Sequence, residues 1–214
     1  MDEEITIINT KTRNEKIKNF FVNNKKKLII FFAILTLIPL SFYSYQIYTK
    51  GHKEKLAEKY NLAIIDYENG SKSDVILAMK EIINNKDKTY SPLALYFLID
   101  NELILSIEEI NKYFDIIIED TKLENEIKNL NIYKKGLFNA NFANENDLLK
   151  ILNPVINSDS VWKSHALYLL AEYFFDKNQK QKAKEFYNQI LNYNKSNDSI
   201  LVEAKKRLNR DLSE

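Results

Sequence analysis

The sequence reads as all-α: one N-terminal transmembrane helix, then an α-solenoid of about four helix hairpins closed by a C-terminal capping helix. Three observations carry that reading. The 214 residues include only 3 Gly and 3 Pro. Both residues break helices, one through backbone entropy and the other through its missing N–H. Leu28–Ile47 is an uncharged, mostly apolar run of 20 residues, the length that crosses a hydrocarbon core about 30 Å thick. Beyond it, apolar residues recur at helical spacing in units of about 35 residues.

These features divide the chain into a basic tail (1–27), a transmembrane helix (28–48) and a helical repeat domain (49–214). A cleaved signal would have a shorter apolar core followed by small residues. Here the run ends in Phe42, Tyr43, Tyr45 and Tyr48, bulky rings suited to the membrane–water boundary. The segment before the run holds seven basic and four acidic residues; from Lys50 onward there are 24 basic and 26 acidic. Lysines retained on the cytoplasmic side place the N-terminus inside and the following domain outside. In the tail, Ile17, Phe20 and Phe21 with Lys16 and Lys18 fit either an amphipathic turn on anionic lipid or a frayed extension of the membrane helix.

The repeat is clearest at the C-terminal end. Trp162–Asp176 carries Leu167, Leu170, Ala171 and Phe174 on one helical face; after a polar turn, Gln181–Asn192 carries Ala183, Phe186, Tyr187, Ile190 and Leu191. The triplet Ala183, Tyr187, Ile190 is matched by Leu148, Leu152, Val155, by Ile110, Phe114, Ile117 and by Val75, Met79, Ile82, at steps of 35, 38 and 35 residues. First helices are expected at Lys53–Glu68, Pro92–Leu105, Leu123–Ala143 and Val161–Asp176. Ser73 is the expected N-cap of the helix after Asn69-Gly70-Ser71. Ser91-Pro92 reads as N-cap and N1, Ser106 to Glu109 as a capping box, and Asp159-Ser160 as the cap of the Trp162 helix. Pro154 is expected to end or kink its helix near Asn153. Asp198–Arg210, with Ile200, Leu201, Ala204 and Leu208 on one side, is the expected capping helix.

At these residues the chain resembles a tetratricopeptide-type array. In the last hairpin, Leu170, Ala171, Phe174, Ala183 and Tyr187 fall where that repeat places its packing residues. Small Ala171 and Ala183 allow close helix approach, and Gly136 suits the same role in the preceding unit. Earlier units depart from the pattern, with Asn101 and Asn139 at the position of Phe174. The layout of short basic tail, single membrane helix and degenerate repeats resembles the bacterial inner-membrane family of the ancillary subunit of the Sec translocon, whose domain is shared with a cell-division coordinator. The resemblance implies a periplasmic interaction domain near the translocon and periplasmic chaperones that handles exported proteins. A structural factor for envelope assembly or division, acting by oligomerisation, is the alternative.

Enzymatic chemistry is not expected. No Cys occurs, which removes thiolate metal sites and a Cys nucleophile. Neither H-E-x-x-H nor a phosphate-binding glycine loop is present. His165 follows Ser164 directly, and adjacent helical residues do not face each other. No catalytic, cofactor-binding or metal-ligating residue is assigned, no cofactor is expected, and neither nucleic acid nor a small-molecule substrate is expected. The expected partners are proteins. The candidate groove residues are Trp162, Tyr168, Tyr133 and Tyr96, aromatic side chains that give large rigid contact area.

Overall fold

A computed structural model describes residues 2–212, with side chains from Arg13 onward. Among the described residues every regular element is helical: α1 (Asp2–Asn23), α2 (Lys25–Glu68), α3 (Lys72–Asn84), α4 (Tyr90–Asp100), α5 (Ile107–Asp115) continuing as a π-helical turn (Ile116–Asp120), α6 (Asn125–Asn139), α7 (Glu145–Ile156), α8 (Lys163–Asp176), α9 (Lys180–Asn192) and α10 (Asp198–Asp211). The chain forms two compact units, 1–55 and 56–214.

In the first unit, α2 is long and apolar enough to cross a membrane, and none of its most apolar window is buried. The basic tail is helical, and backbone bonds from Asn24 N–H to the Phe20 carbonyl and from Leu28 N–H to the Asn24 carbonyl carry helical spacing across its join with α2. The tail forms the 22-residue α1, which stops at Asn24, whose Nδ2 donates to the Phe20 carbonyl at 3.0 Å. Pro39 lies inside α2, one turn after Thr36, whose hydroxyl donates to the Phe32 and Ala33 carbonyls. The expected first repeat helix at Lys53–Glu68 is the C-terminal stretch of α2, with no break before it.

In the second unit all four second-helix triplets lie in the core, each residue 3% exposed or less. Gly136 is where two helices meet: a Cβ there would lie 2.4 Å from Leu152 Cδ2. Close pairing is uneven. α8 with α9 and α6 with α7 are tight hairpins, whereas α4 approaches α3 more closely than α5. Several polar contacts between helices share a spacing near 35 residues, while Asn111–Asn139 (28 apart) and Lys135–Asp115 (20 apart) do not. Tyr96–Asn131, Glu126–Ser160, Gln179–Glu145, Tyr193–Asp159 and Arg207–Glu172 all join residues 34 or 35 apart.

Helix ends correct several expectations. Ser73 lies inside α3, and Ser71 stands at its N-cap. α4 starts at Tyr90, and its first N–H groups are taken by Asp87, whose Oδ1 accepts from the N–H of Thr89 and Tyr90 at 2.8 Å. Ser91 is thereby freed to donate to the Ile82 carbonyl across the helix pair, at 2.9 Å. Pro92 still falls in the first turn, where an N–H has no helical partner. Ser106 accepts from Glu109 N–H at 3.2 Å, but Glu109 does not reciprocate. Its carboxylate bonds Lys80 at 2.6 Å and accepts from the Tyr113 hydroxyl at 3.1 Å. Ser160 Oγ accepts from Trp162 N–H at 3.1 Å, while Asp159 pairs with Tyr193 and Lys195 instead.

α4 ends at Asp100, short of Leu105. Glu102 takes φ +53°, and Leu103 N–H reaches back to the Leu98 carbonyl at 2.9 Å, a Schellman closure. The same closure ends α2 at Gly70 (φ +92°) and α8 at Asn178 (φ +57°). α6 is shorter than 123–143 at both ends. α7 continues through Pro154 to Ile156. Proline there removes one bond near a helix end, and the burial of Leu152 and Val155 at 0% exposure holds the turn.

Candidate partner-binding surface

The four aromatic positions singled out in the sequence lie on α4, α6 and α8, and two of them, Tyr133 and Trp162, cluster with His165. Trp162 stands at the N-cap of α8 and Tyr133 in the middle of α6. Their rings stack at 5.8 Å with an interplanar angle of 18°. His165, one turn into α8, packs on both, 5.2 Å from Trp162 and 5.8 Å from Tyr133. All three are half-buried, leaving ring surface to solvent. Burial pushes the His165 imidazole below its ordinary pKa, with the Val161 carbonyl opposing. Its Nδ1 is buried without a hydrogen bond of ordinary geometry. Burial likewise raises the Tyr133 phenol.

Tyr96, on α4, is tied to α6 by polar and cation contacts rather than by ring stacking. Its hydroxyl donates to Asn131 Oδ1 at 2.6 Å, and Lys134 Nζ stands 3.7 Å above its ring. Asn131 is 1% exposed and is held by its own amide, which donates to the Ile127 carbonyl at 2.7 Å. Lys134 therefore covers one face of Tyr96. Tyr168 does not join the cluster. Its ring packs edge-on against Tyr187 at 5.8 Å, beside Glu172, which accepts from the Tyr187 hydroxyl and pairs with Arg207 of α10. Leu170, Ala171, Phe174, Ala183 and Tyr187 are all 1% exposed or less, between α8 and α9.

Two further features escape inspection of the aromatics. Leu93, Ile127 and Val161 recur every 34 residues at the starts of the first helices and are 39%, 42% and 59% exposed. Their constant step is the signal that would have found them. The other is a groove of about 620 Å³ between α5, α6 and α7. On its wall Asn111 and Asn139 exchange amide hydrogen bonds of 2.9 and 2.7 Å, and Lys135 pairs with Asp115 at 2.6 Å. Ile107 and Phe142 also line the groove and are 38% and 57% exposed. Asn139, polar where the repeat pattern calls for an aromatic, marks this groove in the sequence.

The arrangement offers stacking, apolar contact and a few fixed amides. No protein-family model, curated protein or solved structure matches the sequence.

Proposed function

We propose that the protein is a membrane-anchored interaction scaffold. α2 holds it in a bacterial inner membrane as a single pass with the N-terminus in the cytoplasm, and the second unit is a tetratricopeptide-like solenoid in the periplasm that docks protein partners. The observation that carries this reading is the half-exposed cluster of Tyr133, Trp162 and His165 on α6 and α8, with Tyr96 of α4 joined to α6 through Asn131 and Lys134. Polar contacts repeating at separations of 34 and 35 support the solenoid, and the lysine excess before the apolar run supports the orientation. Tethering raises the effective concentration of the domain at the membrane. Components of the Sec translocon and periplasmic chaperones are the partners implied by the family the sequence resembles. The role is reversible docking in the handling of exported chains, with no bond made or broken.

Photo-crosslinking from position 162 in native membranes tests the partner. Adducts containing translocon or chaperone components support the reading; adducts that contain none overturn it. A reporter fused to the C-terminus tests the side of the membrane: it should be active as a periplasmic enzyme and dark as a cytosolic fluorophore.

One observation favours a second reading, an envelope or division factor acting by oligomerisation. α2 runs unbroken from Lys25 to Glu68, and past the apolar run it carries Leu62 and Ile65, both 52% exposed. A helix of that kind suits self-association. Light scattering of the full-length protein in detergent separates the two readings: a monomer favours the scaffold and a dimer or larger assembly favours the alternative.

A further inference from the structure

The join between α1 and α2 combines two properties that a membrane surface recognises. The first is charge. From Arg13 to Lys27 there are six cations (Arg13, Lys16, Lys18, Lys25, Lys26, Lys27) against one acid, Glu15. All six are exposed, and no described residue forms an ion pair with them. The second is an apolar crevice of about 520 Å³ at the join, walled by Phe21, Val22, Leu28, Ile29 and Phe32, with Lys25 at its edge. Phe20, Phe21 and Val22 are 57%, 55% and 64% exposed. In water, so much aromatic and aliphatic surface has no apolar partner, and the hydrated cations have no counter-charge in contact among the described residues. At an anionic bilayer both halves do: the side chains enter the acyl boundary and the cations meet phosphates.

We propose that α1 and the Lys25–Lys27 triplet form a docking site for anionic phospholipid, with headgroup phosphates held by these cations and an acyl segment in the crevice beside Phe21 and Phe32. The site sets the depth of the membrane helix. Charge complementarity selects this occupant: a protein partner would need a matching acidic surface, whereas an anionic leaflet presents one everywhere. The inference rests on the reading of α2 as a membrane helix.

The chain has no cysteine, so Phe20→Cys gives a unique site for an environment-sensitive fluorophore. The full-length labelled protein is reconstituted into vesicles of phosphatidylcholine alone or mixed with phosphatidylglycerol. Shielding of the probe from iodide is measured after flotation and an alkaline wash. Shielding should appear with phosphatidylglycerol and be lost in high salt. The ratio of shielded to open probe should fall about fivefold for each cation removed in Arg13→Gln, Lys16→Gln and Lys18→Gln, substitutions that leave the Lys25–Lys27 triplet and its effect on orientation in place. If the protein floats with both vesicles but the probe is equally open to iodide in both, the lipid site is wrong and the anchor stands. If shielding is the same in phosphatidylcholine and rises with protein-to-lipid ratio, a second copy covers the patch and the proposal fails. If the washed protein does not float, the anchor is wrong and the proposal falls with it.

Discussion

At the C-terminal end of the second unit, α8 and α9 are the most closely packed pair of helices, and Ala171 and Ala183 are both 0% exposed between them. One unit earlier α6 and α7 are also a tight hairpin, and the repeat steps put Gly136 and Leu148 at the same two positions. One unit earlier again the pair is Leu98 and Ile110, and α4 and α5 scarcely approach. Across these three pairs the order Ala–Ala, Gly–Leu, Leu–Ile follows the order of closeness, whereas Ala63 and Val75, one step earlier still, do not bring α2 and α3 close. Two small residues let backbones approach; two branched ones hold them apart, and α4 then finds its neighbour in α3. The hydrophobic stripe is kept throughout. What varies is which helices pair closely, so the sequence pattern specifies which residues are buried without specifying which helix they are buried against.

The largest test of this contrast is at the position of Phe174. Its ring is 1% exposed and stacks on Phe186 at 5.4 Å with an interplanar angle of 4°. Phe174→Ala should cost about 3–5 kcal/mol of unfolding free energy, measured by urea titration with Trp162 fluorescence. Asn101 stands at the matched position and bonds only the Phe97 carbonyl of its own helix, at 2.8 Å. Asn101→Ala should therefore cost less than about 1 kcal/mol. Equal losses would mean that the two units are equally packed and that the contrast is false.

Gly136 gives the next effect, and two opposing terms decide its sign. Gly→Ala inside a helix gains about 1 kcal/mol. The new Cβ would meet Leu152 Cδ2 at 2.4 Å and Cγ at 2.9 Å, and Leu152 is 0% exposed, so it has no free space to enter. Overpacking costs about 1–3 kcal/mol. Gly136→Ala should thus destabilise by up to about 2 kcal/mol, and Leu152→Val in the same chain should recover some of the loss. Additive losses in the double variant would show that the contact is not the cause.

Alkaline pH compares the two ends through buried phenols. Tyr187 lies between α8 and α9, and burial together with Glu172 pushes its pKa up. Tyr113 lies on α5, and burial together with Glu109 pushes its phenol up from 10.0 to about 12. A raised folded-state pKa stabilises fully below the unfolded value and is lost as pH climbs through the folded one. For Tyr113 the loss runs from about pH 10 to about 12. The melting temperature of the intact protein should fall across that window, less steeply in Tyr113→Phe. If Tyr113→Phe leaves the slope unchanged, the phenol is not buried as described.

Which elements were legible follows from the physics of each. Stripes at i, i+4, i+7 were readable because burial is averaged over a whole helix face. Ends were less so. Leu103, Ile104 and Leu105 look like more helix, yet Ile104 is a 7% exposed plug after the chain has turned and Leu105 is 88% exposed. The π-helical turn at Ile116–Asp120 carries no local marker. Thr121 secures it with both its N–H and its hydroxyl on the Ile116 carbonyl, at 3.1 and 3.2 Å, and it brings Ile117 and Ile118 into the core together. The aromatic cluster was readable as residue types. Its geometry was not, because Tyr168 turns to Tyr187 in a contact between helices that no single stripe encodes.

The smallest predicted effect sits in the turns that separate the loosely and tightly paired units. Both α4 and α8 close with a residue in left-handed geometry, Glu102 at φ +53° and Asn178 at φ +57°. That conformation crowds a Cβ against the following carbonyl, and asparagine bears it better than glutamate because its short amide bonds locally. Glu102→Gly should therefore raise stability by about 0.5–1 kcal/mol, relief of backbone strain exceeding the entropy that glycine adds to the unfolded chain. Asn178→Gly should change it by only a few tenths. The two substitutions impose the same chemistry on the same turn, so helix pairing cancels from the difference and the strain remains. A gain at Glu102 matched by an equal gain at Asn178 would assign the effect to glycine in general and remove strain from the account of why α4 stops at Asp100.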